Sequence, residues 1–356
     1  MSHVIDLWSG EKPLDIRNLP DHPAAEAGIV QHPDEEYRFL HDCMLANRHG
    51  KLYLSWYNCP VHEMADRSVI RGRISSDCGN TWSDPVTLAE DPANAVIYVP
   101  PAFGICPADD QLYLLVTRMT GPDVVQDLEI FRLNEQENIW HSVRVIQKPF
   151  LPNTPVYRMI NGKLITAGRV AAQSGMMPEI PAVAISDDGK IDTEWRIVPI
   201  HDRIKAPEGE NYLPETCIIP DGKYITAFVR HDNRYPLMYE SHDCGETWSG
   251  PQVHNIPVGN SKIFAGILSD QRRYMICNLA GQNRDTLALL LSKPGEKTFS
   301  YASLIRNGID TKLNAAPQWS YPVAVEVPEM NCMCIACTCS KTSAAFIRIP
   351  LDRLEK

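Results

Sequence analysis

The sequence contains the stretch SSDCGNTW at residues 75–82, and a second copy, SHDCGETW, stands at residues 241–248. Both copies fit the pattern S-x-D-x-G-x-T-W, and five matched positions are hard to obtain twice by chance. In a hairpin turn the Asp accepts backbone N–H bonds, the Gly takes a positive φ and the Trp covers the sheet. We interpret Asp77 and Asp243 as structural residues, because a calcium loop needs more oxygen ligands than one Asp supplies.

Weaker relatives of this stretch extend a repeat along the chain. SDDG at 186–189 precedes Trp195, and SKPG at 292–295 precedes Phe299. With Trp140, the aromatic residues stand at 82, 140, 195, 248 and 299, and their spacing shortens steadily from 58 to 51 residues. A period of this length is typical of a repeat architecture.

The content of each period indicates a small antiparallel sheet. Strand-like runs such as residues 51–56 and 223–229 precede the full copies, and few segments have a helical period. Four-stranded sheets repeated radially form a β-propeller. Five marked repeats and one closing blade, shared between the chain ends, make six. We therefore predict one all-β domain over residues 1–356, a six-bladed β-propeller with four-stranded antiparallel blades.

Composition excludes several classes of partner. Lys and Arg number 34 against 44 Asp and Glu, a formal charge of -10, which argues against nucleic acid and anionic membrane surfaces. The sequence contains no run of about 18 apolar residues, so it predicts no membrane-spanning helix. Residues 1–13 do not resemble a secretory leader, and the 11 cysteines favour reduced thiols. We expect a cytoplasmic protein, although a secreted chain that has lost its leader would look the same. The sequence predicts no oligomeric state.

The repeated stretch resembles the Asp-box of the sialidase (neuraminidase) superfamily, whose members are six-bladed propellers. Asp-boxes also occur in other propeller glycosidases and in non-catalytic receptor ectodomains, so the box alone implies the fold. The resemblance implies cleavage of a sugar that carries a carboxylate, which a cluster of arginines grips. It also implies a general acid, and a tyrosine nucleophile activated by a glutamate. It implies no cofactor and no metal ion.

Two segments near the start of the chain resemble parts of the family's active site. Arg38, in YRFL at 37–40, resembles the first arginine of the family's triad. Asp66 precedes the first Asp-box by nine residues, where sialidases place their acid/base aspartate, and Glu63 is the alternative acid. A solvated loop aspartate is the competing interpretation of Asp66.

Three later segments supply the remaining parts in the family's order. Glu215 precedes a D-G turn and a strand that ends fifteen residues later at Arg230, which implies that Glu215 is the base and Arg230 the second arginine. Arg284 precedes a further strand and is the third arginine of the resemblance. Tyr321, in SYP at 320–322, is the implied nucleophile. A surface ion pair for Arg230 and a tyrosine that anchors a strand are the structural alternatives.

Four cysteines in the last blade invite a zinc interpretation, because residues 332–339 read C-x-C-x2-C-x-C. Residues two apart share one face of a strand, so the first two and the last two cysteines point in opposite directions. Four ligands on one strand cannot surround a tetrahedral ion, and we therefore expect small buried thiols and no metal site.

The resemblance as a whole implies a retaining exo-α-sialidase-like hydrolase that acts on an acidic-sugar glycoconjugate or oligosaccharide. Two alternatives stay open. One is a propeller hydrolase or lyase for another acidic sugar (Kdn, Kdo or a uronic-acid-linked residue), in which His41, close to Arg38, lines the pocket as acid or base. The other is a non-catalytic carbohydrate-binding propeller.

Overall fold

The computed structural model describes residues 4–64, 67–122, 124–202, 213–231, 236–279, 284–308 and 318–355. Within these ranges the chain forms 26 strands and three short 3-10 helices at Ile16–Asn18, Pro328–Met330 and Leu351–Arg353. The described part of the chain contains no helix that is long and apolar enough to cross a membrane.

Two strands, β1 (Val4–Ile5) and β2 (Glu26–Gln31), precede the first complete blade. The first blade contains β3 (Phe39–Arg48), β4 (Lys51–Cys59), β5 (Val69–Ser75) and β6 (Val86–Ala89). The second contains β7 (Ile97–Ile105), β8 (Leu112–Met119), β9 (Val125–Asn134) and β10 (Ile139–Ile146). The third contains β11 (Phe150–Pro152), β12 (Tyr157–Arg158), β13 (Leu164–Val170), β14 (Ile180–Ser186) and β15 (Arg196–Pro199).

The fourth blade contains β16 (Thr216–Asp221), β17 (Tyr224–Val229), β18 (Leu237–Ser241) and β19 (Ser249–His254). The fifth contains β20 (Phe264–Ile267), β21 (Arg273–Cys277), β22 (Thr286–Ser292) and β23 (Phe299–Asn307). The sixth contains β24 (Trp319–Val327), β25 (Cys332–Cys339) and β26 (Ser343–Pro350), and β2 is its fourth strand.

The sixth blade closes the ring with strands from both ends of the chain. β2 runs antiparallel to β26, with Gly28 opposite Phe346. The predicted propeller of six antiparallel blades, with the last one shared between the chain ends, is confirmed. One pairing was not predicted: β1 adds to the outer edge of the fourth blade in parallel with β19, with Val4 opposite Val253.

The Asp-box turns hold their own shape through hydrogen bonds. Asp77 Oδ1 accepts from Ser75 Oγ and from the Thr81 amide, both at 2.8 Å, and Oδ2 accepts from Thr81 Oγ1 at 2.7 Å. Asp243 accepts the equivalent three bonds in the second copy, at 2.8, 2.9 and 2.5 Å. Gly79 has a φ of 82°, which favours glycine. The aspartate oxygens are therefore used within the turn, as a structural role requires.

The first strands of neighbouring blades contact one another around the ring, as β3 does with β7 and β24, and β20 does with β16 and β24. These inner strands border the axis and are enclosed on both faces. Residues 39–46 of β3, for example, are all buried. Side chains of the inner strands and of the segments beside them consequently meet at one place, although these parts are far apart in sequence.

Candidate active site

A pocket of about 390 Å³ lies on the axis and receives residues from all six blades. Its polar walls carry both signs of charge. The titratable side chains that line it are His41, Asp42, Tyr57, Glu63, Arg169, Glu215, Arg230, Arg284, Tyr321 and Lys341.

Irregular backbone in three inner strands turns side chains toward this pocket. The pairing register shifts between His41 and Met44 in β3, between Tyr98 and Pro101 in β7, and between Ser320 and Val323 in β24. Asp42 and Tyr321 have φ angles of 51° and 56°. Left-handed backbone at a non-glycine residue costs about 1–3 kcal/mol and concentrates at functional sites. A bulge also redirects a side chain, and here it aims Asp42 and Tyr321 at the axis.

Three buried groups form a hydrogen-bonded cluster on one wall. The Tyr321 hydroxyl donates to Oε1 of Glu215. Arg230 Nη1 donates to Oε2 of Glu215 at 2.8 Å and to the Tyr321 oxygen at 3.2 Å. The Glu215 side chain is 4% exposed, so these bonds form away from water. The structure thus brings together the three residues for which the sequence implied nucleophile, base and second arginine.

A two-stranded hairpin explains the spacing of Glu215 and Arg230. Thr216 at the start of β16 lies opposite Val229 at the end of β17, so the preceding and following residues face each other. The Arg230 amide donates to the Glu215 carbonyl oxygen at 2.9 Å. On its outer side the Arg230 guanidinium donates to Asn260 Oδ1, at 2.7 Å from Nε. The arginine is held from two sides and is therefore a fixed part of the wall.

The cluster lowers the pKa of Glu215 and raises the pKa of Tyr321. Burial alone would raise the pKa of Glu215, but the charges of Arg230 and Arg169 and the bonds from Tyr321 and Arg230 lower it to about 2. Burial and the negative charge of Glu215 raise the pKa of Tyr321 well above its usual range. The resting state therefore holds an ionised Glu215 and a protonated Tyr321.

Cationic side chains surround the Tyr321 ring. The Arg284 guanidinium carbon lies 5.5 Å and Lys262 Nζ 5.0 Å from its centroid. Arg284 donates to the carbonyl oxygen of Asn260, at 3.2 Å from Nε and 2.8 Å from Nη2. No carboxylate pairs with Arg284 among the hydrogen bonds and ion pairs of the described residues.

Arg169 lines the same pocket from β13 and was missed by sequence reasoning. The residue is 5% exposed, and its Nε and Nη1 have no hydrogen-bond partner within the described part of the chain. Buried guanidinium nitrogens without a partner are costly, which indicates a place for an anion. The signal in the sequence is one arginine inside a strand, Leu164–Val170, whose other residues are apolar or small.

His41 and Asp42 lie beside the cluster. The His41 ring is 4.2 Å from the Tyr321 ring, and its Nδ1 is 3.1 Å from Thr338 Oγ1, while Nε2 has no partner in the described ranges. Burial and the charges of nearby cations, chiefly Lys341, lower the pKa of His41, so the ring is neutral. Burial raises the pKa of Asp42, although it forms an ion pair with Lys262.

The remaining predicted residues divide into three cases. Glu63 lines the pocket, where it accepts from the Tyr57 hydroxyl at 2.8 Å and pairs with Lys341. Asp66 lies outside the described residues. Arg38 is exposed just before β3 and does not line the pocket, so the structure does not bring it to the other arginines. Arg169 and Lys341 are the additional cations at the wall.

Comparison with protein families and solved structures agrees with this architecture. The family model described as the BNR repeat-like domain matches residues 50–332. The Hadza microbial sialidase Hz136 aligns with a TM-score of 0.73 and 14% identity, covering 92% of this chain and 68% of that one. The leech intramolecular trans-sialidase, in complex with 2,7-anhydro-Neu5Ac, gives 0.70 and 12%, covering 93% and 71%.

A protein of unknown function from Dyadobacter fermentans is similar over its whole length. It aligns with a TM-score of 0.67 and 14% identity, covering 92% of this chain and 100% of the other. A comparison with curated proteins found no match. At these identities the structural likeness establishes the fold, and the family match covers most of the chain. The chain therefore belongs to the BNR repeat-like domain family, and its six-bladed propeller is that of the sialidases.

Proposed function

We propose that this protein is a retaining glycoside hydrolase that releases a terminal carboxylate-bearing sugar, sialic acid or a related nonulosonic acid, from a glycoconjugate or oligosaccharide. One observation carries the proposal. The Tyr321 hydroxyl donates to the buried carboxylate of Glu215 in a pocket that Arg169, Arg230 and Arg284 line. A phenol paired with a base is a nucleophile that an anionic substrate does not repel.

The arginines have separate tasks in this proposal. Arg230 is already bonded to Glu215 and Asn260, so it chiefly orients the base. Arg169 and Arg284 would bind the substrate carboxylate. Nε and Nη1 of Arg169 lack partners among the described residues, and Arg284 lies across the Tyr321 ring. Guanidinium groups bind carboxylates through paired, charge-assisted hydrogen bonds.

The reaction proceeds by double displacement. Tyr321 Oη attacks the anomeric carbon while its proton passes to Oε1 of Glu215, and the bond to the leaving oxygen breaks. Asp66 protonates that oxygen, with Glu63 as the alternative acid. Water, deprotonated by the same acid/base residue, then attacks the anomeric carbon. The bond from that carbon to Tyr321 Oη breaks, and Tyr321 recovers its proton from Glu215. Two inversions give retention of configuration.

A lyase is the second candidate, and His41 is the observation that favours it. Its neutral ring lies against Tyr321, and its Nε2 has no partner within the described ranges. A neutral imidazole can accept a proton, here the one on the carbon that bears the uronate carboxylate. Elimination would remove that proton, break the bond to the glycosidic oxygen at the neighbouring carbon and leave a carbon–carbon double bond, with Tyr321 protonating the departing oxygen.

The two reactions leave different products. The protein is incubated with fluorogenic α-sialoside, Kdn and uronide substrates, and with uronic-acid-containing oligosaccharides. Hydrolysis releases the fluorophore, whereas elimination creates an unsaturated uronate with a new ultraviolet absorbance. We expect hydrolysis, and NMR of the released sugar should show that the anomeric configuration is retained. An unsaturated product that disappears in His41→Gln would select the lyase. Binding of the free sugar without turnover would select a carbohydrate-binding propeller.

A further inference from the structure

Three cysteines meet at a place remote from the pocket. Cys78 belongs to the first Asp-box, and Cys332 and Cys334 belong to β25. Their sulfur atoms all lie within 4.8 Å of one another, and Cys78 Sγ is 3.5 Å from Cys334 Sγ. All three residues are buried, at 5%, 4% and 0% exposure. Within the described ranges this is the one group of three or more His, Cys, Asp or Glu side chains spaced to hold a metal ion.

The local backbone explains the cluster. Cys332 and Cys334 are two apart on a strand and share a face, whereas Cys337 and Cys339 belong to the opposite face. The run of four cysteines therefore does not form one site, as the sequence indicated. The third thiol comes from another blade, because the Asp-box turn holds Cys78 at a φ of 58° and directs it to β25.

We propose that Cys78, Cys332 and Cys334 bind one soft, thiophilic metal ion in three-coordinate geometry, with Cu(I) as the ion that fits. Thiolate ligands select soft ions such as Cu(I), and no carboxylate or imidazole of the described chain joins the group to favour a hard cation. A metal–sulfur bond of about 2.3 Å places three trigonal sulfurs about 4 Å apart. The three sulfurs lie within 4.8 Å of one another, and one pair is 3.5 Å apart, so the ion needs little backbone movement. Structural zinc sites take a fourth protein ligand, which this group does not supply.

A cation and a cavity lie beside the cluster. Arg348 lies opposite Cys334 in the sheet, where it donates to Asn80 Oδ1 at 2.6 Å and forms an ion pair with Glu26, so its charge near the sulfurs is partly balanced. A cavity of about 290 Å³, lined by Gly79, Asn80 and Arg348 among others, opens next to the cluster. The cavity adjoins the Asp-box turn that carries Cys78, although none of the three cysteines lines it.

The bound ion would join the first blade to the sixth. The sixth blade is where β2 completes the ring, so the three sulfur bonds would reinforce the closure. An ion that binds the folded chain better than the unfolded one raises the melting temperature, by an amount that grows with the logarithm of the ion concentration divided by Kd. The cysteines do not line the axial pocket, so this inference does not depend on the proposed function.

The second Asp-box supplies a matched control, because Cys244 occupies the equivalent position and is also buried, but joins no such group in the described chain. The full chain is titrated anaerobically with Cu(I) in competition with a chelator, for wild type, Cys78→Ser, Cys334→Ser and Cys244→Ser. X-ray absorption counts the sulfur ligands, and melting is followed with and without Cu(I).

We expect one tightly bound Cu(I) with three sulfur neighbours and a higher melting temperature in wild type and Cys244→Ser. Cys78→Ser and Cys334→Ser should each weaken binding by about 100-fold or more. Residues that only support a metal ligand already change the affinity by about 10- to 100-fold, and a ligand itself should matter at least as much. Equal binding by Cys78→Ser and Cys244→Ser, or tighter binding of Zn(II) than of Cu(I), would overturn the proposal. If Cys78→Ser does not fold, Cys334→Ser alone decides between the outcomes.

Discussion

The hydroxyl of Tyr321 donates a hydrogen bond to the carboxylate of Glu215, across 106 positions of the chain and between two blades of the ring. The bond joins a left-handed residue in a strand bulge to the residue before a hairpin, and Arg230 bonds to both partners. The proposed nucleophile and base are therefore assembled by the fold before any substrate binds. Preassembly of this kind lowers the cost of reaching the reactive geometry.

Replacing the base should lower the rate without moving the pH profile. In Glu215→Gln the phenol loses its proton acceptor, so we expect kcat to fall by about 10²–10⁴ with little change in KM. The pKa of Glu215 is about 2, so the carboxylate is ionised at every working pH and produces neither limb of the wild-type profile. Steady-state kinetics across pH should give the same shape for both proteins. A shifted acid limb in the variant would contradict this assignment.

Arg169 should be needed for substrate and dispensable for folding. Its guanidinium is buried with Nε and Nη1 unpartnered in the described chain, so Arg169→Met removes a desolvated charge. Because it also removes a charge that favours ionised Glu215, the two effects oppose each other and the melting temperature should change little. Loss of a charge-assisted bond of about 1.5–3 kcal/mol should raise KM for the acidic sugar about 10- to 100-fold. Arg169→Lys, which keeps the charge, is the control. A destabilised Met variant with normal KM would show a purely structural arginine.

The positions of Arg38 and Arg284 predict opposite outcomes for two arginine substitutions. Arg38 is exposed outside the pocket, so Arg38→Ala should leave kcat/KM within about twofold, the usual range for surface changes. Arg284 faces the Tyr321 ring, so Arg284→Ala should lower kcat/KM by about tenfold or more through a lost charge-assisted contact. Both are measured on the same acidic glycoside. A large loss in Arg38→Ala would mean that this arginine reaches the substrate after all.

The Asp-box should contribute to stability in acid. The side-chain hydrogen bond from Thr81, with the bonds from the Thr81 amide and Ser75, lowers the pKa of Asp77 to about 2. A depressed pKa in the folded state means that the contribution is complete above about pH 4 and is lost as the pH falls toward 2. Denaturation of wild type and Asp77→Asn should therefore differ above pH 4 and converge near pH 2. A difference that grows below pH 4 would contradict the assignment.

The fold was predictable because its signals are local and repeated. The two Asp-boxes and their weaker relatives indicate the period, and the turn that each full box forms is held by its own side chains. Glu215 and Arg230 were also accessible from sequence, because one hairpin relates them and their spacing gives the register.

The positions of the other pocket residues depend on the three-dimensional fold and cannot be predicted from a local sequence pattern. Arg38 lies just before β3 and is exposed, whereas His41, three residues later and inside the strand, lines the pocket. Arg169 and Lys262 are single cations in apolar segments, and their convergence on Glu215, Asp42 and Tyr321 requires the closed ring. Charged residues inside runs of apolar sequence are the signal that would find them in a related sequence.

The most direct test of the central claim is to trap the sugar on Tyr321. The protein is treated with a fluorinated glycosyl fluoride of whichever acidic sugar it hydrolyses, chosen so that the covalent intermediate forms faster than it breaks down. The digested protein is then examined by mass spectrometry. We expect the sugar on the peptide that contains Tyr321 in wild type, and no adduct in Tyr321→Phe. An adduct on another residue, or hydrolysis with inversion at the anomeric carbon, would contradict the account.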